Sequence, residues 1–283
     1  MKSIFNEITI VLISYRSKKK IVRFIKKLDK KFKILIIENS EDRNLHIFLK
    51  RKNIKIIYKN NIGYASSINT ARKHIDTKYF FIFNPDVYGI TNNIIEKFYL
   101  SAISLKDNFS CLGPRYKNIS TETLKQSNKN LKIGKILSIS GAAMFFCKKN
   151  FDYLKGFDEN FFLYFEETDY CYRGNKRKLY AYQLNNISIW HNRGTSISFK
   201  NKKEKIKIKD LTNWHFIWSK FYFYKKNYGY FISLIYFFPI LLRTAIKYMY
   251  FDVINKKDSA NKYKVRLSGL INSILLKRSL KRI

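Results

Sequence analysis

Four short apolar runs, separated by helix-like patterns through the first 105 residues, constrain this chain more than any other feature of its sequence. The runs cover Ile8 to Ser14, Ile34 to Glu38, Ile54 to Tyr58 and Tyr79 to Phe83. Amphipathic patterns lie between and after them, over Lys18 to Leu28, Asp42 to Arg51, Ser66 to Ile75 and Asn92 to Leu105. Alternation of this kind builds βαβ units and a mostly parallel sheet. The runs are continuously apolar, as strands covered on both faces must be. The expected fold class is therefore α/β.

In open parallel sheets ligands sit outside the carboxyl ends of the strands, so the residues that follow each run belong together. They read SYRS (14 to 17), ENSED (38 to 42), NNIGYASSIN (60 to 69) and NPD (84 to 86). One polar turn after a strand is ordinary, and Pro with Asn or Asp is common turn chemistry. Four in succession at one sheet edge predict a binding site. Asp86 is a candidate metal ligand, because hard divalent cations take carboxylate oxygens and need only one or two of them when phosphates complete the shell. Asn84 flanks it. A second candidate ligand is His191 in SIWHNRGTS (188 to 196), which follows Trp190 in a turn with Arg193, with Thr195 and Ser196 able to hydrogen-bond an anion. A purely structural His remains the alternative there.

The segment GFDENFFLYFEETDYCYRGNK (156 to 176) concentrates negative charge: Asp158, Glu159, Glu166, Glu167 and Asp169 fall within twelve positions of a chain that has only 20 Asp and Glu. Clustered carboxylates repel, which raises the pKa of one of them toward that of a general base. Glu166, Glu167 and Asp169 are the candidates. A structural reading stands beside this one: acidic residues suit a helix N-terminus, and Asp169 with Arg173 forms an i,i+4 pair. In SGAAMFF (140 to 146), Gly141 and two alanines allow close backbone approach.

The rest of the chain is basic. With 56 Lys and Arg against 20 Asp and Glu the net charge is +36, spread along the whole length, and 46% hydrophobic residues suffice for a core. Such charge favours polyanions: nucleic acid, anionic membrane or phosphorylated substrates. Part of the Lys, Asn, Ile, Phe and Tyr excess is also what an AT-rich genome produces by codon bias. Cys111, Cys147 and Cys171 have no CxxC spacing, which argues against a disulfide framework or zinc site and suits a reducing, cytosolic setting. The N-terminus reads as a first strand, not a leader. Residues 107 to 135 read as a long polar loop, 200 to 210 as a solvated linker, and 211 to 283 as amphipathic, basic helices. Within these, NYGYFISLIYFFPILL (227 to 242) is bounded by Lys226 and Arg243 and contains Pro239. It is shorter than the roughly 20 residues that span a bilayer, and its aromatic residues suit the membrane interface.

Taken in order, VLISYRS, IIENS, NNIGYASSIN, FNPDV, SGAAMFF, GFDENFFLYFEETDYCYR and WHNRGTS resemble the inverting family 2 glycosyltransferases, in particular the rhamnosyltransferase-like branch of bacterial surface polysaccharide synthesis, lipopolysaccharide included. The resemblance runs from about Ile8 to Ser196. It implies a GT-A fold, Rossmann-like, over residues 1–199; by their own composition residues 200–283 read as a basic, aromatic, membrane-associating helical segment after it. It also implies a nucleoside-diphospho-sugar donor, dTDP- or UDP-linked, a lipid-linked or glycan acceptor at the cytoplasmic membrane face, Mg²⁺ or Mn²⁺, and no nucleic acid. Carried onto this sequence, Ser14 and Tyr15 lie against the nucleotide, Glu38 and Asn39 near the base, and Asn61, Gly63 and Asn69 along the ribose and diphosphate, with Asn84 and Gly141 beside the donor. Asp86 becomes the metal ligand, His191 completes its site, and Glu167 is the base that deprotonates the acceptor. Two departures stand out: Glu38 and Glu167 where the family has Asp, and Ser66 and Ser67 where it has glycines.

Two other readings follow from the same residues. A non-catalytic basic protein would stack Tyr and Phe on the bases of single strands, but would have no use for acidic strand-end loops. A degenerate transferase subunit is supported only by the Asp to Glu changes.

Overall fold

The computed structural model describes residues 3–40, 43–118, 126–199, 201–279 and 281–282. Two compact units divide the chain: residues 1–158 with 167–198, and residues 159–166 with 199–283.

The first unit runs α1 (Ile4–Glu7), β1 (Ile8–Ser14), α2 (Lys18–Lys26), β2 (Lys33–Glu38), β3 (Ile54–Tyr58), α3 (Tyr64–Arg72), β4 (Tyr79–Phe83), β5 (Val87–Tyr88) and α4 (Asn92–Ser104). It continues with β6 (Cys111–Tyr116), β7 (Ile133–Ile136), β8 (Ala143–Cys147), α5 (Lys148–Tyr153), α6 (Glu166–Lys176) and β9 (Ala181–His191). The strands are ordered β3-β2-β1-β4-β8-β6-β9-β5, with β7 also on β9. Parallel pairing holds β3, β2, β1 and β4 together, and β8 enters antiparallel between β4 and β6.

β4 shows why its sequence is apolar without alternation. Phe80 and Ile82 enter one core with Phe146, Phe151, Phe157 and Tyr170, whereas Tyr79, Phe81 and Phe83 enter the opposite one with Phe98 and Phe145. Each buried Phe contributes about 1.5–3 kcal/mol, and rings such as Phe80 and Phe146 stack at 4.9 Å. Helix α2 is amphipathic by the same logic, with Ile21, Phe24 and Ile25 inward on a Lys-rich surface helix. Thr91 caps α4 by accepting from the Ile94 N–H at 3.3 Å.

The four expected strands form, but three expected segments differ. Over Asp42 to Arg51 only a 3₁₀ turn, Leu45–Phe48, is formed, and Asp42 itself lies outside the described residues, as does Glu41. Among the described residues of the segment, Leu45 and Leu49 alone are buried, whereas Ile47 and Phe48 are 51% and 54% exposed, so they form no full inward stripe. The expected loop over 107 to 135 instead supplies β6 and β7, apart from 119–125, which lie outside the described residues. Its polar, Pro-containing sequence hides a central strand because β6 pairs with β9 across a register shift at Pro114/Arg115, the kind of irregularity that accommodates proline.

The third difference lies in the second unit, where 202 to 210 begin a helix, not a linker; Lys200 is outside the described residues. The helix α7 (Lys202–Tyr228) is capped by Asn201, whose Oδ1 accepts from the Glu204 N–H at 2.9 Å, and Ile208 and Leu211 anchor its first turns. It is followed by α8 (Tyr230–Val253) and α9 (Lys257–Ile274). Gly229, at φ 94°, makes the turn between α7 and α8 in a conformation that other residues rarely adopt. The apolar run is longer than its sequence suggested: α8 continues through Pro239 and Arg243 for 24 residues, which is long and apolar enough to cross a membrane by length and composition.

Within this unit Ile217, Phe221, Phe237 and Leu270 form a small core. α7 and α9 touch closely at Gly269, where a Cβ would stand 2.6 Å from the Trp214 carbonyl oxygen. Residues 159–166 are held along α7: Phe161 packs against Tyr222, Phe162 against His215, and the Ser219 hydroxyl donates to the Leu163 carbonyl at 2.9 Å. His215 is fully buried, with Nε2 donating to the Lys281 carbonyl at 2.9 Å and Nδ1 2.9 Å from the Ser279 hydroxyl.

Burial, with the nearby charges of Arg282 and Lys281, holds His215 down at about 4, against 6.5 for a free side chain. The unfolded chain then takes up a proton that the folded one refuses between those values, so stability falls as pH drops through that window. Thermal melts followed by far-UV circular dichroism are expected to lose Tm between pH about 6.5 and about 4, and His215→Gln to flatten that dependence. Gly269→Ala is expected to cost about 1–3 kcal/mol by overpacking, measured by urea unfolding.

Candidate active site

Register brings the strand ends together. Ser14 pairs with Glu38, Glu38 with Tyr58, and Leu12 with Phe83. The loops after β1, β2, β3 and β4 therefore leave the sheet along one edge, and the antiparallel β8 brings its amino end to the same place: Phe83 pairs with Ala143, and the Asn84 N–H donates to the Ala142 carbonyl at 2.8 Å.

At the β1, β2 and α3 end the groups are small and interlocked. The Ser14 hydroxyl lies 3.0 Å from that of Ser17, and Arg16, at φ 51°, sets its guanidinium over the Tyr15 ring. Glu38 is buried and accepts from the Ser40 N–H at 2.8 Å and from the Ser40 hydroxyl. Asn39 donates to Ser67 at 2.6 Å while its Oδ1 is buried with no hydrogen-bond partner, and Ser67 in turn donates to the Gly63 carbonyl. The Ser67 hydroxyl thus ties the Asn39 side chain to the start of α3, which no glycine could do. Gly63 sits at φ 88° as the N-cap of α3, and its N–H lies 3.4 Å from Asn61 Oδ1.

Asn69 does something other than the sequence suggested. Its amide nitrogen donates to the Phe157 carbonyl at 2.8 Å and its oxygen accepts from the Phe157 N–H at 3.0 Å. It is a brace between α3 and the acidic segment, not a group turned toward a nucleotide.

Asp86 follows β4 and is fully buried, yet neither carboxylate oxygen has a hydrogen-bond partner. His191 Nε2 lies 3.4 Å from Oδ1. β5 and β9 create this proximity by pairing Val87 with His191, and the Asn192 N–H donates to the Asp86 carbonyl. Burial pushes the Asp86 carboxyl up, but His191 and Ser196 beside it outweigh that and hold it below the usual carboxylate value. It is a buried anion with His191 and Ser196 beside it. His191 Nδ1 is likewise buried and without a partner. Among the described residues no group of three or more His, Cys, Asp or Glu could cage a metal. An Asp with one His instead suits a divalent ion whose remaining positions go to ligand oxygens and water.

Glu166 opens α6 and is buried, and Asp169 is fully buried against Arg173, Nε to Oδ2 2.8 Å. Arg173 directs its other donors to the Leu154 and Gly156 carbonyls, so the pair stitches α6 to the chain before it. Glu167 differs. The difference is in its titration: burial raises its pKa from 4.5 to about 7, and its Oε2 has no hydrogen-bond partner. A Cβ on Gly141 would meet Tyr64 at 3.7 Å and Glu167 at 3.9 Å, which is ordinary contact. The close approach expected at Gly141 is thus not required by the protein's own packing.

Some residues of the cluster carry no sequence signal of their own. Tyr64 donates to the Gly141 carbonyl at 2.6 Å, and Asn118 holds the His191 backbone through both its N–H and its carbonyl at 3.0 Å. The Tyr116 hydroxyl is buried without a partner, its ring 5.8 Å from that of His191, and burial raises its pKa so that it stays a donor. Asn118 follows β6, so the strand-end rule finds it once β6 is known to be a strand.

No family model matches the sequence. It is 20% identical over 214 residues to the low-salt glycan biosynthesis hexosyltransferase Agl10 of Haloferax volcanii, covering 68% of this chain and 69% of that protein. Among solved structures it is similar to the mannosyltransferase PcManGT of Pyrobaculum calidifontis in complex with GDP-Man and Mn²⁺ (TM-score 0.60, 10% identity, 95% of this chain and 87% of that one). It is also similar to GalNAc-T7 with UDP, GalNAc and Mn²⁺ (TM-score 0.52, 10% identity, 74% of this chain), half of whose length it spans. A third likeness is to S. aureus TarS 1-349 in complex with UDP-GlcNAc (TM-score 0.50, 14% identity, 96% of this chain and 92% of that one). The fold is that of the GT-A glycosyltransferases, with a helical C-terminal region.

The brace formed by Asn69 sets an expectation opposite to that for a ligand contact. Asn69→Ala is expected to destabilise the protein by about 1–3 kcal/mol through unsatisfied backbone groups, seen as a lower urea midpoint, and to leave the affinity for nucleotide within a few-fold of wild type by calorimetry.

Proposed function

We propose that the protein is a glycosyltransferase that takes a sugar from a nucleoside-diphosphate donor and passes it, with inversion, to a lipid-linked glycan acceptor at the cytoplasmic face of the membrane. The observation that carries this reading is Asp86: a fully buried carboxylate, kept anionic by His191 and Ser196 beside it, with His191 Nε2 3.4 Å from Oδ1, beside the carboxyl ends of the parallel strands. Burying a charge without hydrogen bonds is costly unless a cation compensates it. Asp86 and His191 would hold Mg²⁺ or Mn²⁺, which neutralises charge on a diphosphate leaving group. The Mn²⁺ and the UDP, GDP-Man and UDP-GlcNAc bound by the structurally similar proteins support a donor of this class.

The chain's own groups divide the remaining work. Ser14, Tyr15, Glu38, Asn39, Asn61 and Gly63 line the edge where the nucleotide would lie, and Asn84 and Gly141 border the sugar. Glu167 receives the acceptor hydroxyl's proton on its open carboxylate as the acceptor oxygen bonds the anomeric carbon. The bond from that carbon to the diphosphate oxygen breaks, and its electron pair leaves with the nucleotide. A base with a pKa of about 7 is matched to that proton transfer near neutral pH. Asp169 is less suited because Arg173 already engages it, and Glu166, buried at the start of α6, is the rival candidate. A hexose as the transferred unit accords with the Haloferax relative. Rhamnose from a dTDP donor, family 2 inverting chemistry and a role in bacterial surface polysaccharide are the finer reading, supported by the order of the sequence motifs. Residues 1–199 would carry the chemistry and 200–283 the attachment to the membrane.

Thermal stabilisation by UDP, GDP and dTDP, and by their sugar derivatives, with and without Mn²⁺ tests the donor site. A metal-dependent rise in Tm for one base, lost in Asp86→Ala, is expected; no rise with any of them overturns the proposal. Glu167→Gln is expected to keep that rise and to lose roughly 10²–10⁴ in turnover, with wild-type activity climbing to a plateau above pH about 7. Its stability moves the other way. Because the folded state holds the Glu167 proton up to about 7 and the unfolded chain only to 4.5, stability falls as pH rises through that window. Glu167→Gln should therefore melt above wild type at alkaline pH and match it at acid pH.

A further inference from the structure

Helix α8 carries an apolar face that the rest of its unit leaves uncovered. Phe231, Ile235, Phe238, Leu242, Ile246, Met249 and Val253 follow one another at intervals of four, three, four, four, three and four. That spacing keeps them on one side of a helix along its whole length, about 33 Å at 1.5 Å per residue. Each is more than half exposed, from 51% at Ile246 to 81% at Val253. The buried residues of α8, Ser233, Phe237 and Thr244, are on the opposite side, where α7 and α9 pack. A continuous uncovered stripe of this size marks an interaction surface.

We propose that α8 lies in the plane of an anionic lipid bilayer, with this stripe sunk into the acyl boundary. Length alone would let α8 cross, but its packing does not. Its inner side is closed by α7 and α9, which carry Lys220, Lys225 and Lys226, and Lys257, Lys262, Lys264 and Arg266. Crossing would drag those charges into hydrocarbon, at about 2.5–3.5 kcal/mol or more each. Of the two cations of α8 itself, Lys247 sets its Nζ over the Tyr263 ring of α9, whereas Arg243 follows stripe residue Leu242 by one position and so borders the stripe without joining it. There a long side chain sinks its methylenes while its charge stays at the headgroups.

Charge chooses the occupant. From Asp252 to Ile283 the chain has nine Lys or Arg against two Asp, a net of +7. Basic residues at a membrane surface gain about 1 kcal/mol each from anionic lipid, whereas two copies of so basic a unit repel each other across a shared stripe. The inference gives the lipid-linked acceptor of the proposed function its partner surface and rests on that reading for its purpose. Its test does not, because vesicle binding requires neither nucleotide nor metal.

Co-sedimentation of the full chain with phosphatidylcholine vesicles, with and without phosphatidylglycerol, is the first measurement. Binding at least ten-fold stronger to the anionic vesicles is expected, together with its loss in the Ile235→Glu/Phe238→Glu double variant, whose melting temperature and nucleotide response should match wild type because both positions are exposed. Unchanged binding by that variant, or none by wild type, overturns the proposal. So does a concentration-dependent dimer that the variant abolishes, since the stripe would then be covered by a second copy. Depth-resolved quenching of a fluorophore on Phe231→Cys, Leu242→Cys and Val253→Cys separates the two membrane geometries, the three native cysteines being buried. Equal, shallow depths support an in-plane helix; a deep Leu242→Cys between two shallow ends means that α8 crosses, and the proposal fails.

Discussion

The pairing of β1 with β2 on one side and β4 on the other is the constraint from which the site follows. Parallel strands in register end together, so Ser14, Glu38 and the turn after Phe83 are side by side whatever their loops contain. Apolar cores on both faces hold that register, since a one-residue slip would turn every side chain of β4 to the wrong face. A buried carboxylate such as Asp86 is tolerable only beside a frame this rigid. Its cost in solvation is offset by large aromatic cores: Phe80, Phe81, Phe83, Phe145 and Phe146 are all fully buried within a few strands of it.

The acidic segment draws on both units. Residues 159–166 pack with the second unit and Glu167 belongs to the first, so the division of the chain falls between two adjacent glutamates. Tyr164 and Phe165, just before them, both have φ near 70°, a conformation rarely adopted by bulky residues and held only where the surroundings overdetermine it. The rings of Tyr164 and Phe165 rest against Phe216, and that of Phe165 also against Phe223. The aromatic wealth of this stretch therefore acts locally, keeping a strained turn in place immediately before the first residue of α6. Within the first unit, Asp169 pairs with Arg173 along α6 and Asn69 ties α3 to Phe157. Asn69 and Asp169 thus hold backbone in place, while Glu167 keeps one carboxylate oxygen without a hydrogen-bond partner.

The second unit turns the same sequence economy to another end. α7 and α9 come close enough at Gly269 that only glycine fits, and the tight pairing leaves α8 with one side to pack and one side over. Its uncovered stripe is thus a product of where Gly229 turns the chain and of how closely the other two helices meet, not of hydrophobicity alone.

Much of this was legible from the residues. The four parallel strands were readable because their burial on both faces leaves unbroken apolar runs, and the strand-end rule then pointed to Asp86 from the sequence alone. His191 and the acidic cluster were readable as chemistry out of place, a titratable residue after Trp190 and carboxylates crowded in a basic chain. What could not be read depends on partners distant in sequence. β6 looks like a loop because only β8 and β9 make Cys111–Tyr116 a strand. Asn69 looked like a ligand contact because its partner, Phe157, lies 88 residues away. That Asp169 is engaged by Arg173 while a Glu167 oxygen is unpartnered depends on packing, and the free face of α8 depends on which face α7 and α9 had taken. Local periodicity and residue chemistry determined the elements and the shortlist of functional groups; burial and pairing across the chain, which no short window of sequence contains, decided which of those groups were left free to act.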